Sequence, residues 1–423
     1  MPGLGRADFE LFVDGAPVGV VSVDESCDVS RVDDPRAGRG PALPDAAAGG
    51  RPPRFVHVFD YPHLENPYEA IAVARSALER LERPSDEHVV AAFSPGLRIE
   101  SPPARGAAAA IQALERMRSD RTQYHGAYDR LTERGFFDAL RQLLDVLEVW
   151  PGAKVVLLYS GPFRADGFDH DAAHRDVAAR ASRARVALYT IDAGGMRTPR
   201  GFRYGDLGGP RTLARLAVET GGRLTSHTND LGLGYARAQR DLACRYTLGF
   251  YDSAANPDRP RRLTIRTHRA GARVVHAAAY VPRSPEERRA GRLDGALAAP
   301  ELFPNGGFAV EIEPLAPDTS TAVRIRLRLP ADWPDRVGGE WRAVGRIARR
   351  TGVVVRRFDA PLDAASGAWL DLGEARDLWA RPHRATVVVG HPGAETPFAV
   401  WTDFEVRRSD VDRGDQSPQS DNP

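Results

Sequence analysis

The stretch that most constrains this chain is Phe55-Val56-His57-Val58-Phe59-Asp60, followed by Tyr61-Pro62-His63-Leu64 and then by Pro67–Leu81. A short apolar run that ends in a carboxylate is the pattern of a buried strand. In the segment behind it, Ala70, Ile71, Ala74, Leu78 and Leu81 recur at the spacing of one helical face. Strand, acidic residue and helix form the opening unit of a doubly wound α/β sheet. Such sheets bind ligands in the crevice beyond the carboxyl ends of their strands. Asp60 is therefore the first candidate site residue.

The alternation continues to about Val281. His88–Ser94 reads as a second buried strand, with Leu97–Ser101 as a short edge strand paired to it. Helices are expected over Ala107–Met117 and Phe136–Leu147, the latter stopped by Trp150-Pro151-Gly152. Lys154–Ser160 is the most apolar strand and belongs in the centre of a parallel sheet. Helix Asp169–Arg183, strand Arg185–Asp192 and helix Pro210–Thr220 follow, the last closed by Gly221-Gly222. Strand Arg223–His227, helix Leu231–Ala243 and strand Tyr246–Tyr251 complete the series, and Leu263–Thr267 with Val274–Tyr280 reads as a closing hairpin. A series of this kind predicts a mostly parallel sheet with helices on both faces.

The flanks differ. Phe9, Leu11 and Val13 alternate, Asp14-Gly15 turns, and Val18–Val23 returns, so residues 1–30 read as a β-hairpin. Residues 31–53, rich in Pro, Gly, Ala and Arg, read as a linker. After the α/β domain (54–282) and a charged helical linker (283–304), the hydrophobic period becomes two. Residues 305–408 therefore read as an all-β sandwich. Arg324, Arg326 and Arg328 share one face there, which a solvated sheet surface accounts for. Residues 409–423 have no periodicity and read as a disordered tail.

Composition excludes some functions. Hydrophobic and charged fractions of 42% and 27% are those of an ordinary globular protein. A formal net charge of +1 gives no global attraction to nucleic acid or to an anionic membrane. Lys154 is the only lysine among the basic residues. No apolar run reaches the about 20 residues a membrane span needs. Cys27 and Cys244 match no metal or redox spacing; they are one disulfide or two buried thiols, and the thiols are favoured because free Cys is commonly buried. Met1-Pro-Gly-Leu-Gly5 lacks a signal peptide, which taken literally means a cytoplasmic protein. The chain nevertheless opens within a strand pattern, as if its start had been set too late.

Asp8-Phe-Glu-Leu-Phe-Val-Asp-Gly15, Leu213-Ala-Arg-Leu-Ala-Val-Glu-Thr-Gly-Gly-Arg223 and Tyr246-Thr-Leu-Gly-Phe-Tyr251 carry a resemblance. In that order, from Asp8 to about Pro282, the chain resembles a von Willebrand factor A (VWA) domain. More specifically it is similar to a bacterial VWFA-related family of mostly exported proteins. The resemblance implies a Rossmann-like fold, a protein partner, an exported location and a metal-ion-dependent adhesion site. In that site an Asp-x-Ser-x-Ser loop, a threonine and a second aspartate supply oxygen ligands to Mg²⁺ or Mn²⁺. Asp60 matches the first aspartate, but the serine positions hold Pro62 and Leu64. The threonine position falls near Arg134, with Thr132 the nearest hydroxyl; the second aspartate position holds Ser160-Gly161, with Asp166 displaced along the loop. Only Asp60 keeps its ligand type, so the expectation is a degenerate site without a cofactor.

Two other readings stay open. Asp166, His170 and His174 could hold zinc in a metal-dependent hydrolase, against exposed helix-start residues as the plainer account. A purely structural envelope protein is the other. No phosphate-binding loop, nucleophile elbow or paired-cysteine site is present in the sequence. The expected function is non-catalytic protein binding at the strand ends, through Asp60, His63, Thr132, Ser160 and Phe163. Tyr61, Tyr124 and Arg164 would enlarge the interface. The partner's identity and the oligomeric state are left open.

Overall fold

The structure is a computed structural model. It describes residues 2–27, 53–94, 96–119, 133–150, 153–161, 163, 170–194, 209–252, 259–272, 274–282, 284–316, 319–333, 340–349, 354–362, 369–379, 381–391 and 397–406. Thr132, Asp166, Tyr124, Arg164, most of the expected linker 31–53 and the tail 409–423 lie outside the described residues. The chain divides into two units, Met1–Arg288 and Arg289–Pro423.

Unit 1 begins with β1 (Phe9–Val13), β2 (Ala16–Val18) and β3 (Val20–Cys27), then β4 (Arg54–Asp60) and α1 (Pro67–Leu81). It continues through β5 (Glu87–Phe93), β6 (Leu97–Arg105), α2 (Ala108–Ser119), α3 (Glu133–Val149), β7 (Lys154–Ser160) and α4 (His170–Arg183). β8 (Val186–Asp192), α5 (Gly209–Thr220), β9 (Leu224–Thr225), α6 (Gly232–Asp241), β10 (Cys244–Phe250), β11 (Arg261–Thr267) and β12 (Ala279–Tyr280) complete it. Six strands form the main sheet in the order β6-β5-β4-β7-β8-β9. All neighbours are parallel except β6, which runs antiparallel to β5. The order in which strands are added to the sheet reverses between β4 and β7, so the topological switch point lies at Asp60 and Ser160.

Local chemistry explains these elements. β7 is buried at every position and β4 at all but its first residue, as central strands covered on both faces require. α1 starts where Asn66 Oδ1 accepts the Glu69 N–H at 3.2 Å and Pro67 follows the cap. Its buried stripe of Ala70, Ile71, Ala74, Ala77 and Leu78 packs into one core with Phe55, Phe59, Leu157, Tyr159 and Tyr235.

Several expectations are corrected. Turn residues Asp14 and Gly15 have φ of 50° and 86°, as a type I′ turn requires. The returning strand, however, breaks after Val18, and the hairpin is no separate unit: β1 pairs along its length with β11, giving the order β12-β11-β1-β2. The closing hairpin is shorter than expected: on the other edge of β11, β12 contributes only two residue pairs. β10 is not the last strand of the main sheet but pairs antiparallel with β3. There Cys244 faces Cys27 and the two form a disulfide, not the two thiols favoured above. The expected strand Arg223–His227 is reduced to β9, because His227 takes φ of 55° and leaves the extended region.

Two polar features sit inside unit 1. His57 and His88, neighbours on β4 and β5, are fully buried with Nε2 and Nδ1 3.2 Å apart. Burial pushes both imidazoles down, His88 to about 4 and His57 well below its ordinary value with a further push from His88. Lys154 opens β7 at the strand end opposite Asp60 and donates to the Trp150 carbonyl. Burial, then Arg54 and Arg185, hold its amine far below the usual lysine range, with Glu148 opposing.

Unit 2 contains the C-terminal part of α7 (Pro285–Ala298), whose start is capped by reciprocal bonds between Ser284 and Glu287. The seven strands that follow are β13 (Ala309–Ala316), β14 (Thr319–Arg328), β15 (Trp341–Arg349), β16 (Val354–Leu362), β17 (Trp369–Ala375), β18 (Pro382–Gly390) and β19 (Phe398–Glu405). They make two antiparallel sheets, β13-β14-β17 and β16-β15-β18-β19, as the period-two pattern predicts. Ile325 and Leu327 from one sheet and Ile347, Phe358 and Val387 from the other share a core. The arginine stripe is a paired sheet face: Arg326 bonds Glu313 and lies 4.8 Å over Trp369, and Arg324 bonds Glu374.

Candidate functional site

Asp60 ends β4 at the switch point and is 1% exposed. Its Oδ2 accepts two hydrogen bonds, from Ser160 Oγ at 2.6 Å and from His63 Nδ1 at 2.8 Å. Its Oδ1 is buried without a hydrogen-bond partner among the described residues. Ser160 reaches Asp60 because it ends the adjacent parallel strand β7, and it is itself fully buried.

His63 is placed by the turn that follows β4. Tyr61–His63 form one 3-10 turn, and Leu64 N–H closes it on the Asp60 carbonyl at 3.1 Å. Phe163 stacks on the His63 ring at 4.4 Å, and Phe136 meets both rings edge-on, at 5.8 and 4.7 Å. This clamp fixes the imidazole with Nδ1 toward the carboxylate. The turn rests directly on Gly161, where a Cβ would come within 1.9 Å of the His63 carbonyl oxygen. Gly161 is thus needed for close approach of two backbones.

Asp60, His63, Ser160 and Phe163 are therefore brought together as expected, but not as an exposed surface. Phe163 and Tyr61 are each 1% exposed and belong to the interior, so the expectation that they offer aromatic contact area is corrected. An aromatic residue next to a strand end serves core and interface equally well, and sequence pattern does not separate the two.

The donor set does not fit Mg²⁺ among the described residues. Mg²⁺ requires near-octahedral oxygen coordination. Here Asp60 Oδ2 is already occupied by a hydroxyl and an imidazole, while Pro62 and the buried Leu64 stand at the serine positions. Among the described residues no group of three His, Cys, Asp or Glu side chains gathers at one point. Of the second cluster, Asp166 lies outside the described residues, and of His170 only the backbone at the start of α4 is described. His174 is 2% exposed and meets Phe137 edge-on at 5.3 Å, which corrects its reading as an exposed helix-start residue.

No protein-family model matches the chain. No curated protein matches it either. Solved structures similar to it include the conserved hypothetical protein BatB from Bacteroides thetaiotaomicron, 11% identical with a TM-score of 0.33, covering 45% of this chain and 98% of that one. A von Willebrand factor type A protein from Catenulispora acidiphila is 11% identical with a TM-score of 0.29, covering 97% of this chain and 76% of that one. Proximal thread matrix protein 1 from the mussel byssus is 12% identical with a TM-score of 0.34, covering 53% and 50%. The TM-scores are low, and the fold is read from the chain's own strand order. Numbered within the main sheet, that order is 3-2-1-4-5-6 with an aspartate ending strand 1, a doubly wound arrangement of the kind the sequence resemblance to a VWA domain implies. Among the described residues no helix is long and apolar enough to cross a membrane.

Proposed function

We propose that the chain is a non-catalytic, exported protein-binding module. It recognises its partner through the loops at the carboxyl edge of the main sheet, without a metal ion. The observation that carries this reading is the closed cluster of Asp60, Ser160 and His63. A nucleophilic serine needs a base that accepts its proton and a third group that orients the base. Ser160 instead spends its proton on Asp60, and His63 binds the same oxygen. At the point where such sheets bind ligands, Ser160 and His63 both take up Asp60 Oδ2, and of the carboxylate only the buried Oδ1 is left over. The loops around them then supply the recognition surface. Export is supported by the Cys27–Cys244 disulfide, since disulfides persist in oxidising compartments.

Thermal unfolding of the full chain with Mg²⁺, Mn²⁺, Zn²⁺ or EDTA tests the metal-free part. A ligand at 100 times its Kd adds about 2.7 kcal/mol, a visible shift in melting temperature. No shift with any ion is expected. A Mg²⁺ or Mn²⁺ shift abolished by Asp60→Ala would overturn the reading, and a shift with zinc alone would move attention to His170 and His174. Co-precipitation with surface proteins, unaffected by EDTA and lost with charge reversal at Arg164, tests the recognition part.

A further inference from the structure

Unit 2 carries a notch of about 580 Å³ where the edge strands β16 and β17 of its two sheets come together. β16 bulges there: Arg356 faces Ile347 and Val354 faces Ala348, so Val355 has no opposite number on β15. In a regular strand consecutive side chains point to opposite faces. The bulge removes that restriction, and Val355 and Arg356 both line the notch.

Its floor and rim are chemically uneven. Arg349, the last residue of β15, lies 4.6 Å over the Trp379 ring, and its buried Nε has no hydrogen-bond partner among the described residues. Trp379 itself is 59% exposed, a large apolar surface at the mouth. Arg356 is exposed and has no ion pair among the described residues. Glu374 is already engaged by Arg376 at 2.9 Å and by Arg324 at 3.1 Å, which hold its carboxyl below the usual range. Asp377, held at φ of 58°, presents a carboxylate with no ion pair among the described residues.

We propose that this notch binds an acidic peptide segment, one carboxylate held by Arg349 and Arg356 and a neighbouring apolar side chain laid on Trp379. Planar guanidinium groups suit carboxylates, and charge-assisted bonds of this type are the strong ones. A small free anion would leave the tryptophan face unused. A polyanion such as a nucleic acid or a sulfated glycan carries a charge at every repeat and would meet Glu374 and Asp377 as well as the arginines, whereas a peptide can set an uncharged side chain or a backbone N–H beside those carboxylates. A peptide uses all three groups, because its backbone N–H groups can donate to Asp377. The site lies wholly in unit 2 and does not depend on the reading of the Asp60 crevice.

Fluorescence anisotropy on the full chain tests this, with a labelled peptide that alternates glutamate and tyrosine as the probe. Saturable binding is expected, weakened by added salt. Arg356→Glu and Trp379→Ala should each weaken it about tenfold or more, with melting temperatures near that of the parent chain. Arg356 is exposed, so its variant keeps the test valid if removing Trp379 disturbs the fold. The proposal is overturned by absence of saturable binding, or by variants that bind as the parent does. Equal binding of a lysine–tyrosine peptide, or displacement by heparin or inorganic phosphate at lower concentration than by unlabelled probe, would overturn it as well.

Discussion

Ser160 Oγ donates to Asp60 Oδ2 across 2.6 Å, although the two residues stand 100 positions apart in the chain. Parallel pairing of β4 with β7 puts both strand ends at the same level, and nothing more is needed to make the contact. A carboxylate that is 1% exposed requires such donors, because an unpaired buried charge is strongly unfavourable.

Ser160→Ala should therefore cost about 1.5–3 kcal/mol, the range for a hydrogen bond to a charged group. Urea unfolding reads this as a lower midpoint with unchanged slope. If the midpoint stays where it is, the bond does not hold the carboxylate in place.

Gly161→Ala tests the turn from the other side. A methyl group there would meet the His63 carbonyl oxygen at 1.9 Å, and backbone cannot move aside as a flexible side chain can. A loss of about 1–3 kcal/mol is expected, the usual range for overpacking. Gly5→Ala, where nothing lies within 4 Å, should change stability by less than about 0.5 kcal/mol. Equal effects of the two substitutions would refute the close approach.

What was legible in the sequence is what local pattern controls. The bounds of α1 agree with the apolar spacing of Pro67–Leu81, and β4 and β7 agree with their apolar runs. Asp60 could be named from its place at the end of an apolar strand, and Ser160 from the strand end that the VWA resemblance assigns to the site. Their mutual bond could not, since it joins residues distant in sequence. For the same reason the placement of β10 and the pairing of Cys27 with Cys244, 217 positions apart, were missed. Local pattern marks a strand but not which strand it joins. Trp379 gave no sequence signal either: it acquires its surroundings only when β15, β16 and β17 assemble around it.

Reduction of the disulfide should destabilise unit 1. It ties β3 to β10, which pair with one another and with no other strand of the described residues. Losing a native disulfide typically costs about 2–5 kcal/mol. Cys244→Ser, compared with the parent chain in denaturant with and without dithiothreitol, should reproduce the effect of the reductant. A reductant effect that persists in the variant would place its cause elsewhere.

The buried pair of His57 and His88 makes stability depend on pH with a definite sign. In the unfolded chain both imidazoles titrate near the ordinary value of about 6.5. In the fold His88 is pushed down to about 4 by burial, and His57 lies well below its ordinary value. Between these limits the unfolded chain takes up protons that the folded chain does not. Stability therefore falls as pH drops from about 6.5 toward 4, and the pair adds no slope above that window. For His88 alone the loss amounts to about 3 kcal/mol across the window. The two rings share one hydrogen bond, so a single replacement would orphan the other ring; His57→Leu and His88→Leu belong in one variant. Urea midpoints measured from pH 7.5 down to 4 should show a weaker acid slope in the double variant than in the parent. Parallel pH profiles would mean that other groups drive the acid sensitivity and that this pair takes up protons over the same pH range in the folded and the unfolded chain.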